Sequence, residues 1–433
     1  MDHPLFAPGF KTEPYWWDAA PRPSPDAAPL PAKVDVAVVG SGQTGLTAAL
    51  TLARGGRSVA VLEAGPLGHG ASTRNAGYVG RTLYAKFPKL LAKYGQAKAV
   101  ALSSEALAAN DYTAGLIESE QIACGYVACG RFIAAPSAKA YDRMARDLEV
   151  TLRHVKGLQG HMVPKAEQRA EAGTDHYHGG QVLQGTGALH PGLYQQGLMD
   201  RARSAGAILM GHCPVEAIDR NGQGFAVRTP KGTLAARDVV VATNGYTGKP
   251  TPLLRRRLIP VPAFQIATEP LAPDLLARLF PTRRTLIDTK INIYWARLSP
   301  DGTRIIFGAR TGIDDGPLEN KARRLHACMT EVFPELATTR LSHVWTGNMG
   351  FTFDLLPHVG VIEGVHYAAG FCGVGIPMGT YLGHKAALRV LGRPGAATAF
   401  DDLPFPTRPL YDGRPWFLPA VLGWYGLKDR LAG

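Results

Sequence analysis

The chain has 433 residues, 45% of them hydrophobic, and a formal net charge of +12 at pH 7. This length and composition predict a large buried core in two connected lobes, and they exclude a disordered or low-complexity protein. The five cysteines are an odd number and too few for a disulfide framework, which predicts a reducing compartment, the cytoplasm.

The hydropathy profile and the positive charge limit the partners. The start of the chain has no basic segment followed by an apolar run, so no signal peptide is predicted. No uncharged apolar stretch approaches the ~20 residues that span a bilayer. The basic residues are scattered and no nucleic-acid-reading motif accompanies them, so nucleic-acid binding is not predicted. The charge is at least as compatible with anionic metabolites or a membrane surface.

A glycine cluster between two predicted strands is the first motif that carries chemistry. Residues 34–39 form a nearly continuous apolar, β-branched run, typical of a strand buried in a parallel sheet. Gly40, Gly42 and Gly45 then open a predicted helix. In such a unit the first glycine allows a tight turn, the second admits a pyrophosphate and the third lets helix and strand pack closely. Glu63, at the end of the next strand, is placed to accept hydrogen bonds from ribose hydroxyls, which predicts dinucleotide binding and disfavours NADP.

Further motifs of this kind are dispersed along the chain, at residues 68–80, 212–220, 238–248 and 367–383. A nicotinamide-dependent dehydrogenase normally keeps its binding unit in one contiguous domain. The spread seen here resembles the D-amino-acid oxidase (DAO) superfamily of FAD enzymes, which includes sarcosine and glycine oxidases. The likeness includes residues 14–17 (PYWW) and 345–360, and it is strongest to bacterial γ-glutamylputrescine-oxidase-like proteins.

The resemblance implies an α/β fold. It consists of a Rossmann-like FAD-binding domain of the glutathione-reductase/DAO type and an α+β substrate domain with an antiparallel sheet. The FAD-binding domain is predicted at 32–87, 186–255 and 340–395, and the substrate domain at 88–185 and 256–339, with an N-terminal leader (1–31) and a C-terminal tail (396–433). Separately, residues 292–310 are typical of a β-hairpin that turns at Pro300-Asp301-Gly302, and residues 188–198 of a loop leading into a helix.

The resemblance also implies which residues bind FAD. The predicted set is Gly40, Gly42, Gln43, Thr44, Gly45, Glu63, Ala64, Ser72, Thr73, Arg74, Asn75, Ala76, Gly77, Val215, Thr243, Asn244, Gly245, Gly347, Gly373, Val374, Gly375 and Ile376. Several of these stretches have a plain structural alternative. Ser72 and Thr73 could cap a helix, residues 243–245 could form an ordinary turn, and residues 373–375 could be a helix-entry loop.

Members of this superfamily oxidise C–N bonds. A hydride passes from the substrate carbon to flavin N5 and the imine then hydrolyses, so no catalytic triad is required. By alignment with sarcosine oxidases, Met349 stands in the segment where those enzymes attach FAD through a cysteine, which predicts noncovalent FAD. Gly77 and Pro377 replace the two basic residues that bind the substrate carboxylate, and Ile306 replaces the lysine that activates oxygen.

These departures predict a polyamine-derived or secondary amine as substrate rather than sarcosine or glycine. They also predict that the electron acceptor is oxygen or a quinone and that the reaction with oxygen is slow, unless Lys290 substitutes for the missing lysine. Tyr294, Arg297 and Trp345 are the catalytic candidates, with Arg297 meeting a remote charge on the substrate. Core packing is the alternative for aromatic residues on a sheet. No metal site is predicted.

Two other functions are compatible with the sequence. A nicotinamide-linked dehydrogenase would use the same glycine cluster, and a non-catalytic flavoprotein subunit at a membrane surface would hold FAD without turnover. The aromatic segment 414–431 could lie on a membrane interface or pack on its own protein.

Overall fold

A computed structural model describes residues 5–23, 29–310 and 316–424. Its strands are β1 (Phe6–Lys11), β2 (Lys33–Val39), β3 (Val59–Leu62), β4 (Tyr78–Val79), β5 (Arg131–Ala134), β6 (Gly160–Val163), β7 (Gly180–Leu183), β8 (Gly187–Ala188), β9 (Ile208–Met210), β10 (Ala217–Asn221), β11 (Gly224–Thr229), β12 (Gly232–Val241), β13 (Ile259–Thr268), β14 (Thr285–Asp288), β15 (Tyr294–Leu298), β16 (Ile305–Ala309), β17 (Leu341–Phe351), β18 (His358–Ile362) and β19 (Val365–Ala369). Its α-helices are α1 (Trp16–Ala19), α2 (Gln43–Arg54), α3 (Phe87–Ser119), α4 (Ala138–His154), α5 (Pro191–Ser204), α6 (Pro252–Arg255), α7 (Pro273–Leu279), α8 (Leu318–Val332) and α9 (Gly375–Val390). Short 3-10 helices span Ala71–Thr73, Lys165–Ala170, Asn244–Tyr246 and Pro334–Leu336.

The first sheet carries the glycine cluster. Its main strand order is β10-β11-β12-β2-β3-β9, in which β12, β2, β3 and β9 run parallel. Strand β19 also pairs with β12 in parallel, and β18 pairs with β19 antiparallel. The apolar strand β2 is buried on both faces. Val36 and Val38 lie in a core shared with α2, α5 and α9, whereas Ala37 and Val39 share a core with side chains of β11 and β12. This arrangement explains why the sequence of β2 is nearly continuously apolar rather than alternating.

The second sheet has nine strands. Its order is β1-β17-β13-β16-β15-β14-β5-β7-β6, antiparallel except for the pairs β1–β17 and β14–β5. Side chains alternate across it. Tyr294, Ala296 and Leu298 pack on the face covered by α7 and α8, and Trp295 and Arg297 point to the other face. The predicted hairpin is confirmed by the antiparallel pair β15–β16, and the predicted α/β fold with an antiparallel-sheet lobe is confirmed as well.

Sheet membership cuts across the predicted domain division. Strand β17 begins the predicted FAD segment 340–395 and β1 lies in the predicted leader, yet both pair within the second sheet. Helix α3 lies in the predicted substrate segment, and its buried face packs in the core of α2, α5 and α9. Strand pairing alone does not define a domain, so the division stays a prediction.

The C-terminal segment packs on the protein through two of its leucines. Leu418 and Leu422 contact a small core around Val261, Phe351 and Cys372, and the remainder of the predicted membrane-contacting stretch, 425–433, lies outside the described residues. Among the described helices, none combines the length and the hydropathy needed to cross a bilayer.

Candidate active site

A cavity of about 760 Å³ lies between the two sheets. One end is lined by the residues that follow β2 and β3, among them Gly40 and Glu63, and by the N-termini of α2 and α9. The other end is lined by residues of β5, β7, β14, β15 and α4. The volume lies in the range of roughly 300–1,000 Å³ that is typical of small-molecule sites.

The glycine cluster fixes the acidic residue at the first end. Gly40 has a φ of +100°, a left-handed conformation that favours glycine. The following Ser41 donates from its backbone N–H (2.9 Å) and its hydroxyl (2.8 Å) to Oε2 of Glu63. A Cβ at Gly45 would lie 2.0 Å from the carbonyl oxygen of Gly40, so this glycine allows helix α2 to pack directly against the turn. The carboxylate of Glu63 is thereby held at the cavity wall.

Two helix N-termini converge beside it. The backbone N–H of Gln43 donates to Ser72 Oγ at 3.0 Å, and its side-chain Nε2 donates to the carbonyl oxygen of Gly375, where α9 begins. The Oε1 atom of Gln43 is buried without a hydrogen-bond partner in the described part of the chain. A Cβ at Gly42 would lie 2.9 Å from Ser72 Oγ. The two helix N-termini and the glycine cradle fit the pyrophosphate of a bound dinucleotide. The unpartnered amide oxygen is an acceptor and fits an N–H group of a flavin.

Residues 72–77 form a loop along the cavity that is held from behind. The indole Nε1 atoms of Trp16 and Trp345 donate to the backbone oxygens of Asn75 and Arg74, both at 2.9 Å. The guanidinium of Arg297 donates to the backbone oxygens of Ala76 (3.2 Å), Gly77 (3.3 Å) and Leu189 (2.8 Å). These contacts fix the loop that faces the cavity, and they give the PYWW segment a role in the site.

Most of the predicted FAD-binding residues meet at this cavity. Those that line it are Gly40, Gly42, Gln43, Thr44, Glu63, Ala64, Ser72, Arg74, Asn75, Ala76, Val215, Thr243, Asn244, Gly347, Gly373, Val374, Gly375 and Ile376. Gly45, Thr73, Gly77 and Gly245 stand behind the wall instead. Thr73, for example, is fully buried and accepts a hydrogen bond from the indole of Trp17 at 3.0 Å.

The three catalytic candidates are not brought to the cavity wall. Tyr294 lies on the opposite face of the second sheet, where its hydroxyl donates to Glu331 of α8 at 3.0 Å. Trp345 is fully buried beside Trp16. Arg297 uses its guanidinium on backbone oxygens behind the loop. Tyr294 is turned away from the cavity because side chains alternate along a strand. Trp345 and Arg297 do not reach the cavity because they hydrogen-bond to the backbone of the loop 72–77 from behind.

Other residues that sequence reasoning missed do line the second end. Trp295, one position after Tyr294, faces the cavity, together with Tyr78, Arg131 and the apolar side chains Leu83, Phe87, Met144, Leu148, Ile287 and Ile293. Neighbouring side chains of a strand point to opposite faces of the sheet, so Trp295 was the alternative to Tyr294 that the sequence offered. Arg131 lies on a short strand that carries no motif, so only the fold could bring it here.

Burial shifts the pKa of several ionisable groups of the cavity. Burial raises the pKa of the Tyr78 phenol well above its usual range, and it lowers the pKa of the His69 imidazole, as does the nearby Arg74. Burial raises the pKa of the Cys372 thiol to about 12. At neutral pH these groups are therefore a neutral phenol, a neutral imidazole and a thiol. Elsewhere among the described residues, no group of three or more His, Cys, Asp or Glu side chains could hold a metal ion.

Comparison with known proteins decides the cofactor. The family model described as "FAD dependent oxidoreductase" (DAO) matches residues 35–389. The chain belongs to the DAO family. This membership makes the protein an FAD-dependent oxidoreductase rather than a nicotinamide-linked dehydrogenase, and the glycine cradle described above fits FAD.

Relatives within the DAO family cover nearly the whole chain. The chain is 30% identical over 439 residues to the probable oxidoreductase OrdL of Rhizobium meliloti (strain 1021), with 98% of each chain covered. It is 30% identical over 410 residues to the γ-glutamylputrescine oxidoreductase of Escherichia coli (strain K12), covering 92% of this chain and 93% of that one. Among solved structures, glycine oxidase from Geobacillus kaustophilus has a similar fold, with a TM-score of 0.74, 24% identity, and 88% of this chain and 99% of that chain covered.

Proposed function

We propose that this DAO-family enzyme oxidises a C–N bond of an amine that carries an aliphatic chain, either polyamine-derived or a secondary amine. The observation that carries the proposal is that the FAD-binding end and an apolar, aromatic-lined end belong to one continuous cavity. Bound FAD supplies the acceptor for the hydride that leaves the carbon next to nitrogen. Relatives named for γ-glutamylputrescine and glycine oxidation support an amine as substrate.

The residues of this chain would bind and orient the amine. The aliphatic stretch of the substrate would lie against Phe87, Leu148, Ile287 and Trp295, all of which line the second end. These apolar walls exclude water from the reacting carbon, which protects the imine until it leaves. The loop 72–77, held from behind by Trp16 and Arg297, would keep the flavin at a fixed distance from the substrate.

Two positions argue against a small amino acid held as in sarcosine oxidases. Gly77 packs against the Leu189 carbonyl, and Pro377 is buried in α9, so neither can offer a cation. We therefore propose that sarcosine and glycine are poor substrates.

The proposal also includes the electron acceptor, which is oxygen or a quinone, and the noncovalent binding of FAD. A cytoplasmic location also remains proposed, on the basis of five free cysteines.

The test is an anaerobic screen of the purified yellow protein. Polyamines, γ-glutamylputrescine, N-methyl amino acids and amino acids are added in turn, and loss of the visible flavin absorbance reports reduction. Bleaching by a diamine derivative, faster than by sarcosine or glycine, is the expected result. Bleaching by none of the amines, or fastest bleaching by sarcosine, contradicts the proposal. A mock addition and a hydroxy acid of matched length control for photoreduction.

A further inference from the structure

We propose that Arg131 binds a carboxylate of the substrate, so the substrate is an amine that carries an acidic group. That the bound carboxylate belongs to a substrate rests on the proposed amine oxidation. The binding of an anion by Arg131 does not depend on that function. The sequence predicted that Arg297 would bind a remote charge of the substrate, and we assign this role to Arg131 instead.

Arg131 is a buried cation in the cavity wall, and one of its donor atoms has no hydrogen-bond partner among the described residues. The residue is only 8% exposed, lines the cavity and has no hydrogen-bond partner for Nη2 among the described residues. Its Nε atom contacts Thr285 Oγ1 at 3.4 Å. Its guanidinium carbon lies 5.0 Å from the ring centroid of Tyr78, the residue that follows the loop 72–77. The cation–π contact with the ring helps to hold the guanidinium in place, and a ligand carboxylate would supply the missing acceptor for Nη2.

The surroundings of Arg131 do not neutralise its charge. The groups that interact with it electrostatically are Tyr78 and Cys129, and neither is a carboxylate. The Tyr78 hydroxyl lies 2.7 Å from the carbonyl oxygen of Ala296 and burial keeps it a neutral phenol. The Cys129 thiol donates to the carbonyl oxygen of Gly130 at 3.4 Å. A buried cation without a counter-ion is costly, and an anionic ligand removes that cost.

Two other basic residues of the cavity differ from Arg131 in this respect. Arg81 and Lys86 also line the cavity, but Arg81 pairs with Asp111 at 3.3 Å and Lys86 with Asp147 at 3.8 Å. Arg131 forms no such ion pair with the described residues. A carboxylate suits it because two parallel N–H donors of a guanidinium match the two oxygens of that group. γ-Glutamylputrescine is one amine of this class, because its glutamyl group carries a carboxylate.

The position of Arg131 separates the acidic group from the reacting carbon. Arg131 begins β5, whose residue Ile133 also lines the cavity and pairs with Ile287 of β14. The anion site is thus in the second sheet, whereas the FAD-binding glycines belong to the first. A substrate that bridges them carries its carboxylate at one end and the oxidised amine at the other.

The experiment measures binding without turnover. The FAD-loaded protein is titrated with acetate, butyrate and hexanoate, each compared with its neutral amide, while the visible spectrum of the flavin reports occupancy. At least one carboxylate is expected to bind roughly tenfold or more tightly than its amide. In R131Q this preference should disappear, and in R131K it should weaken because an ammonium lacks the planar fork.

Matched variants make the outcome decisive. R153Q removes an exposed arginine of α4 that pairs with Glu149, and it should keep the full carboxylate preference. An equal preference in R131Q and wild type, or none in wild type, overturns the proposal. If R131Q does not fold, R131K and the wild-type series decide. Since no oxidisable amine is present, a negative amine screen leaves this result standing, and a failed titration leaves amine oxidation untouched.

Discussion

The indole nitrogen of Trp16 donates a hydrogen bond of 2.9 Å to the backbone oxygen of Asn75, 59 residues further along the chain. Trp16 is completely buried and packs with Ile306 and Trp345. A segment that precedes β2 therefore supports the loop beside the glycine cluster. The position of that loop depends on the beginning of the chain.

Replacing Trp16 by Phe tests this support. The ring is kept in part, but the Asn75 carbonyl loses its donor and a void opens, so we expect a loss of about 1–3 kcal/mol in the free energy of unfolding and weaker FAD binding. Thermal unfolding and FAD fluorescence titration measure the two effects. Trp416→Phe, at a position 70% exposed, is the control. Unchanged FAD affinity in Trp16→Phe would show that the loop holds its place without this bond.

Gly42→Val should abolish retention of FAD. A Cβ at this position would lie 2.9 Å from Ser72 Oγ, and the branched side chain would fill the approach to the N-terminus of α2. The readout is the ratio of flavin to protein absorbance after purification. Gly115→Val, on an exposed part of α3 where a Cβ would meet nothing within 4 Å, should keep a full complement. A yellow Gly42→Val protein with wild-type stoichiometry would refute the glycine-cradle assignment.

FAD should leave the protein on acid precipitation. Met349 lines the cavity where a linking cysteine would be expected, and the one cysteine among the described cavity residues, Cys372, is a buried thiol whose pKa is raised to about 12 by burial. Yellow colour in the supernatant is expected. Colour in the washed pellet argues for a covalent bond, and loss of that colour in Cys372→Ser would identify the attachment point.

Acid should destabilise the protein through His190. This residue caps α5 by accepting the Leu193 N–H at 3.1 Å, and burial lowers its pKa to about 4. Unfolded histidine has a pKa of about 6.5, so the unfolded state binds the proton first and stability rises with pH between about 4 and 6.5. His190→Asn keeps a capping acceptor and should flatten this slope by at most about 1.4 kcal/mol per pH unit.

Chemical denaturation at several pH values between 4 and 8 measures that slope. His343 and His384, whose pKa values burial also lowers to about 4, remain in the variant, so the slope is reduced and not removed. His161→Asn, on an exposed position of β6, is the control. Parallel stability curves for His190→Asn and wild type would exclude His190 as a source of acid sensitivity.

Reduced enzyme should react slowly with oxygen and faster with a quinone. Ile306 is fully buried between Trp16 and Trp345. Lys290 contacts His176 at 3.0 Å and lies over the Tyr294 ring, and it is not among the residues that line the cavity. Stopped-flow reoxidation with air-saturated buffer and with a soluble quinone compares the two rates. Faster reoxidation by air than by the quinone would contradict the prediction.

The sequence was most informative where local chemistry decides the structure. The strand ending at Val39, the helix after Gly42 and the Pro300–Gly302 hairpin follow from turn residues and apolar runs within a few residues, and the structure has all three. Contacts across hundreds of residues could not be read in this way. The face that a strand such as β15 presents to the cavity depends on which helices cover its other side. Tyr294 and Trp295 were therefore indistinguishable, and Arg131 gave no signal.

The order of synthesis has a bearing on when this protein can take up its cofactor. One of the hydrogen bonds to the Arg74 carbonyl oxygen comes from Trp345, 271 residues later in the chain. At roughly 5–20 residues per second, a ribosome makes these two residues tens of seconds apart. During that interval the nascent chain carries the whole glycine cluster without the strand that supports the loop opposite it. The loop can therefore take its fully supported form only after β17 has been synthesised, late in translation.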